Sequence, residues 1–218
     1  MQPIIIAIAK GRIQEEVVPI LQKIGIFPEE AFFDDSKRQL QFACKNSNVS
    51  LIRVRSFDVP TFVAFGAAQL GVAGSDVLME FDYNDIYTPL DLNIGHCRLS
   101  VAELKNSWDN KDMARVSHIR VATKYPNITK HHFAEKGIQA ECIKLSGAME
   151  LAPKLGLAPF IVDLVSSGLT LEANGLKEIE EITKVSSRLI VNRAAFKTRN
   201  TEITEIINSF RDAVKSEK

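Results

Sequence analysis

The sequence predicts an α/β protein in which strands and helices alternate around parallel sheets, and three observations carry that expectation. Short β-branched apolar runs recur along the chain, the first of them Ile4–Ala9. Stretches with apolar residues at helical spacing, such as Val17, Val18, Leu21 and Ile24, separate the runs. Polar turns follow several of the strand-like runs, as they do where a parallel strand passes its chain to a crossover helix.

Taken in order, the nearly unbroken run Ile4–Ala9 reads as a central strand covered on both faces, and Lys10-Gly11-Arg12 as the turn after it. The helix that follows stops at Gly25, with Pro19 expected to shift its start or kink it. Residues 40–44 and 49–55 flank the turn-rich residues 45–48 and read as a hairpin. In its second arm Arg53 and Arg55 fall on one face, because side chains alternate along a strand. Asp58 is placed to cap a helix with Pro60 in its first turn. Residues 71–74 read as a brief buried strand opening into Ser75-Asp76. Cys97–Leu104 and residues 119–122, 139–145 and 160–164 are further strands, with helices starting near Asn127 and Ser146. Leu176–Val185 and Ser187–Asn192 resemble adjoining strands, and residues 201–214 form an amphipathic closing helix. The sheet pattern weakens from about 105 to 117, and residues 95–105 are taken as a domain crossing.

Composition excludes several classes. The 218 residues carry 27 basic and 27 acidic side chains, a formal charge of zero, so no long-range field gathers a polyanion and nucleic acid is not expected as a partner. A chain of this size buries roughly 70% of its unfolded surface and needs no metal or disulfide to fold. Cys44, Cys97 and Cys142 are odd in number and far apart, which fits a reducing cytoplasm. No run approaches the ~20 apolar residues of a membrane span, and the N-terminus lacks the pattern of a secretory signal. His96, His118, His131 and His132 have no metal-ligand spacing. Walker A, Gly-x-Gly-x-x-Gly and Gly-x-Ser-x-Gly motifs are absent.

The strongest local signal for chemistry is IVDLVSSGLTL at 161–171. An apolar strand ends in Asp163 and passes through Val165 into Ser166-Ser167-Gly168-Leu169-Thr170. Small residues let successive amides point into one concavity and hydroxyls add donors, a nest suited to a phosphate dianion, with Asp163 placed for sugar hydroxyls. The alternative is a polar turn. Lys10, Gly11 and Arg12 offer two cations at a strand end, or else a solvated turn. Arg53 and Arg55 suit an anionic ligand or an exposed edge. Asp76, after Gly74 and Ser75, either accepts from a ligand or caps a helix.

Across the whole chain these motifs resemble the catalytic subunit of the ATP phosphoribosyltransferase family in its short form. The resemblance rests on Ala9-Lys10-Gly11-Arg12, Ile52-Arg53-Val54-Arg55 with Asp58-Val59-Pro60, and Gly71-Val72-Ala73-Gly74-Ser75-Asp76. It continues through Cys97-Arg98-Leu99, Val121-Ala122-Thr123-Lys124-Tyr125-Pro126-Asn127, Gly147-Ala148-Met149-Glu150 with Ala152-Pro153, and IVDLVSSGLTLEANGL at 161–176. Ser36-Lys37-Arg38 stands where short forms commonly show Ser-Arg-Lys, Ser75 where a lysine is common, and Pro159 where an acidic residue is frequent.

The resemblance implies two α/β domains of periplasmic-binding-protein-like (type II) topology, 1–94 plus 186–218 and 95–185, with the active site in the cleft between them. It implies transfer of the 5-phosphoribosyl group of phosphoribosyl pyrophosphate (PRPP) to N1 of ATP, with substrate-bound Mg²⁺, as the first step of histidine biosynthesis. PRPP would meet Asp163, Val165, Ser166, Ser167, Gly168 and Thr170. ATP would meet Lys10, Gly11, Arg12, Gly74, Ser75 and Asp76, while Arg55, Arg53 and Lys10 would act in catalysis. Long forms append a regulatory domain that is not expected here, so the resemblance implies a hetero-oligomer with a regulatory subunit similar to histidyl-tRNA synthetase. The alternatives are a non-catalytic small-anion-binding domain of the same topology and a phosphoribosyltransferase acting on another base.

Overall fold

The computed structural model describes residues 2–34, 36–45, 48–105 and 117–216. Its strands, in chain order, are β1 (Ile4–Ala9), β2 (Phe27–Pro28), β3 (Gln41–Lys45), β4 (Val49–Val54), β5 (Leu70–Gly74) and β6 (Ile86–Asp91), then β7 (Cys97–Leu104), β8 (His118–Thr123), β9 (Gln139–Lys144), β10 (Phe160–Val165), β11 (Leu176–Val185) and β12 (Ser187–Asn192). The helices are α1 (Arg12–Lys23), α2 (Val59–Ala64), α3 (Ser75–Phe81) and α4 (Pro126–Ala134), then α5 (Leu151–Lys154), α6 (Leu169–Ala173), α7 (Arg193–Thr198) and α8 (Asn200–Lys215). Two compact units result, Met1–Gly95 with Ser186–Lys218, and His96–Val185.

The first unit is built on one sheet in the order β2-β3-β4-β1-β5-β12-β6. Period-two alternation sorts its side chains by size. Ile4, Ile6 and Ile8 of β1, Leu70 and Val72 of β5, and Leu189 and Val191 of β12 join one core with Val17, Ile20 and Leu21 of α1 and Ile203, Ile207 and Phe210 of α8. The opposite face carries Ala7, Ala9, Ala73 and Ile190 with Val59 and Val63 of α2. Small residues there let α2 lie close. A Cβ on Gly71 would stand 2.9 Å from both Val59 Cγ1 and Val63 Cγ2. Gly71→Ala is therefore expected to overpack this face by about 2 kcal/mol, lowering the melting temperature by roughly 4–8 °C in differential scanning calorimetry.

The second unit is a sheet in the order β11-β7-β10-β8-β9. Ala102, Ala122, Ile161, Val165 and Leu176 pack under Ala152 of α5 and Leu171 of α6, and α4 buries Phe133 completely.

The hairpin expected at 40–55 forms, but where the sequence otherwise predicts parallel sheets the structure has mixed ones. β1 is parallel to β4 and β5, and β8 to β9 and β10. β3 pairs antiparallel with β4, β12 with β5 and β6, and β7 with both β10 and β11. A parallel neighbour requires a crossover connection, whereas strands that follow one another closely in one sheet pair antiparallel. The two adjoining late strands enter different sheets, with Ser186 alone between them.

Other differences are local. α1 starts at Arg12 and runs through Pro19, which lies on its exposed side. Asp58 occupies the N-cap of α2 without a capping side-chain bond, and the helix expected near Ser146 is only the four residues of α5. β2, β6, α3 and α7 carry no strong periodic signal. The weak pattern between 105 and 117 falls mostly outside the described residues, as does part of the turn at 45–48. Among the described residues no helix is long and apolar enough to cross a membrane.

Burial, with the nearby Glu29 carboxylate adding to it, pushes the Cys44 thiol up to about 11. At pH 8 only about one molecule in a thousand would carry the reactive thiolate there. Iodoacetamide at pH 8 is accordingly expected to leave Cys44 unmodified, and peptide mapping of the native protein checks this.

Candidate active site

Sheet order decides which loops meet. β1 lies between β4 and β5 and is parallel to both, so the carboxyl ends of three strands stand side by side. Lys10-Gly11-Arg12 leaves β1, Arg53 and Arg55 mark the end of β4, and Gly74-Ser75-Asp76 leaves β5. Such ends are where open α/β sheets hold ligands. The Lys10 amide donates to the Val54 carbonyl at 2.9 Å, joining two of these loops.

The cations occupy different environments. Lys10, Arg12 and Arg55 are exposed. Arg12 Nε donates to Glu16 Oε1 at 2.6 Å, and Glu16 Oε2 accepts from the Gly95 amide at 2.5 Å. Arg53 is 4% exposed, its Nη1 donating to the Phe32 carbonyl at 3.0 Å and its guanidinium lying 5.2 Å from the centre of the Phe42 ring. Alternation puts Arg53 and Arg55 on one side of the chain, yet the first is an internal anchor for the turn at Glu30–Phe33 and the second faces solvent.

At the end of β5 the Ser75 amide donates to the Ser186 carbonyl at 2.9 Å, and Ser75 Oγ accepts from the Ser186 amide at 3.3 Å. Gly74 is the N-cap of α3, so Asp76 is not the capping residue. Asp76 is 3% exposed and folds over Gly74, where a Cβ would stand 2.1 Å from its Oδ1.

In the second unit β10 ends at Val165, and the chain turns through residues 166–168 into α6. Gly168 holds φ at 81°, a left-handed conformation that costs glycine almost nothing and other residues more. Ser166, Ser167 and Thr170 are exposed, while Val165 is buried and fastens the bend to the core. Ser167 Oγ accepts from the Leu169 amide at 3.4 Å. Asp163 is half-buried, with Oδ1 accepting from the Leu164 amide at 2.8 Å. Beside it, at the end of β8, Thr123 Oγ1 donates to the Val162 carbonyl at 2.8 Å and accepts from the Tyr125 amide at 2.9 Å.

Reasoning from residue types assigns no role to Arg98, Ser100 or Glu178, which meet under this bend. Arg98 Nε and Nη2 hold the Glu178 carboxylate at 2.7 and 2.5 Å, and Ser100 Oγ donates to Glu178 Oε1 at 2.8 Å. The hydrogen bonds from Arg98 hold the Glu178 carboxyl below the usual carboxylate range. The only hint in the sequence is that Arg98 and Ser100 share a strand face, since Glu178 lies 80 residues from Arg98. Among the described residues no group of three or more His, Cys, Asp or Glu gathers as a metal site.

Mixed sheets with loops at parallel strand ends in each of two units are the fold of the periplasmic-binding-protein-like (type II) class. The periplasmic aliphatic sulphonate binding protein SsuA of Escherichia coli shares that fold, with a TM-score of 0.61 and 14% identity over 98% of this chain and 69% of that one. The family is narrower: the HisG model, ATP phosphoribosyltransferase, matches residues 55–212, and the chain belongs to the ATP phosphoribosyltransferase family. The ATP phosphoribosyltransferase of Rhizorhabdus wittichii is 62% identical over 97% of this chain and 96% of its own length. That of Paramagnetospirillum magneticum is 61% identical over 96% of each. Among solved structures, the ATP phosphoribosyl transferase (HisG:HisZ) complex from Thermotoga maritima contains a chain similar at a TM-score of 0.82 and 29% identity, covering 98% of this chain and 99% of that one.

Proposed function

We propose that the chain transfers the 5-phosphoribosyl group of PRPP to N1 of ATP, releasing pyrophosphate and giving N1-(5-phosphoribosyl)-ATP, the first step of histidine biosynthesis. The observation that supports it best is the gathering of Lys10, Arg12 and Arg55 on adjacent parallel strand ends in a chain of this family.

Adenine N1 carries an in-plane lone pair and attacks the anomeric carbon without a protein base first removing a proton. The barrier lies in parting pyrophosphate from a ribosyl centre with cationic character, which fixed positive charge and positioning lower. In this reading the bend at 166–170 grips the 5-phosphate of PRPP through Ser166, Ser167, Gly168 and Thr170, and Asp163 takes the ribose hydroxyls. Arg55 and Lys10 face the departing diphosphate, with Arg53 adding charge from its buried seat. Gly11, Arg12, Gly74, Ser75 and Asp76 border the nucleotide. Mg²⁺ enters with the substrates, held by phosphate oxygens and water.

The Thermotoga maritima relative is a complex with HisZ. By extension the chain works in the cytoplasm as a hetero-oligomer with a regulatory subunit similar to histidyl-tRNA synthetase, through which histidine inhibits. The test is to incubate the chain, with and without that subunit, with ATP, PRPP and Mg²⁺, and to follow ribosylated ATP by mass spectrometry. Product that needs both substrates is expected, and none under any combination would overturn the assignment. Full histidine inhibition of the chain alone would remove the proposed role of the subunit.

A further inference from the structure

Arg98 stands directly opposite Val165 in the antiparallel pairing of β7 with β10, beside the residue that opens the bend. Its Nη1 donates to the Ser166 carbonyl at 3.1 Å. The other side of the same guanidinium is clamped by the two oxygens of Glu178, one of which also accepts from Ser100. Glu178 comes from β11, which pairs with the opposite edge of β7, so three adjacent strands fix one planar fork. We propose that Arg98, held by Glu178 and Ser100, is a positioning residue that sets the orientation of the 166–167 peptide and thereby readies the bend for the 5-phosphate of PRPP. The inference rests on the reading of that bend as the phosphate grip.

In a planar trans peptide the carbonyl of one residue and the amide of the next point in opposite directions. By drawing the Ser166 carbonyl toward itself, Arg98 turns the Ser167 N–H to the other side, where an anion is received. With that carbonyl released, the peptide could rotate and present oxygen to the phosphate, replacing attraction by repulsion. A lone arginine here could also act as a distant attractor, but its charge is matched by Glu178 in a bidentate pair, which leaves orientation as its contribution. Lysine cannot reproduce this, since a point charge with no planar fork does not grip both carboxylate oxygens and aim a third donor.

The test compares Arg98→Ala, Arg98→Lys and Glu178→Gln in the full chain, together with the regulatory subunit where activity requires it. KM for PRPP and for ATP are measured separately, with calorimetric binding of PRPP to the full chain and melting temperatures alongside. Losing a hydrogen bond to a charged group is expected to raise KM and Kd for PRPP roughly tenfold or more in Arg98→Ala, with KM for ATP within about twofold of wild type. Arg98→Lys should recover little of the loss, and Glu178→Gln, which keeps one acceptor, should fall between. Equal increases for both substrates, full recovery by lysine, or an unchanged PRPP affinity would each overturn the proposal. Gly168→Val, which alters the backbone of the bend itself, is assayed in parallel and separates the two ideas. If it weakens PRPP binding while the Arg98 variants do not, only the positioning role falls, and if it leaves PRPP binding intact the phosphate grip itself falls.

Discussion

Replacing Arg55 by alanine is expected to lower kcat by about 10²–10³, equivalent to ~3–4 kcal/mol of lost transition-state stabilisation, with the melting temperature almost unchanged. Arg55 lies just past the end of β4, in extended backbone and open to solvent. Truncation there removes charge without opening a cavity. Its neighbour on the same side gives the contrast. Arg53 bonds the Phe32 carbonyl and covers the Phe42 ring, so Arg53→Ala would damage the fold as well as the reaction and report on neither cleanly. Arg55→Lys keeps the charge but loses the planar fork, and intermediate turnover is expected. Single-turnover measurement of ribosylated ATP at saturating substrates provides the check, and wild-type turnover in Arg55→Ala would take this residue out of the reaction.

The second large effect is expected at Gly168. Valine there must adopt φ near 81°, which a β-branched side chain resists by about 1–3 kcal/mol, so the bend should shift toward a conformation with φ negative. Nothing lies within 4 Å of the position a Cβ would take, so the cost is in the backbone and not in a collision. KM for PRPP should rise more than tenfold with KM for ATP little changed, while Gly168→Asn, whose side chain tolerates the left-handed region, should retain most of the affinity. Steady-state kinetics with each substrate varied in turn measure this. A valine variant with unaltered PRPP affinity would show that the bend does not hold the phosphate.

Much of this arrangement is legible in the sequence alone. The strands are legible where burial on both sheet faces forces an unbroken β-branched run, as in Ile4–Ala9, or where apolar and polar residues alternate, as in Cys97–Leu104, whose polar Ser100 and Glu103 are nonetheless buried as well. The candidate loops were found because glycine, hydroxyl and cationic side chains follow such runs, and local chemistry of that kind is written in consecutive letters. α3 and α7 were missed because each spans only two turns or fewer, too short for helical periodicity to emerge. The hairpin at 40–55 is legible from its turn, but the antiparallel directions of β7 and β12 are not, because alternation of strands and helices does not reveal which strand pairs with which.

The residues by themselves determined the longer elements and the family, since hydrophobic period and turn chemistry act over a few positions and leave their mark there. Only the tertiary structure decided that Lys10, Arg55 and Asp76 gather at the carboxyl ends of adjacent strands, that Arg53 is an anchor where Arg55 is exposed, and that Arg98 reaches Ser166 and Glu178 across separations of 68 and 80 residues. Those outcomes depend on strand pairing between distant segments, which is selected by burial of the whole sheet and has no local signature.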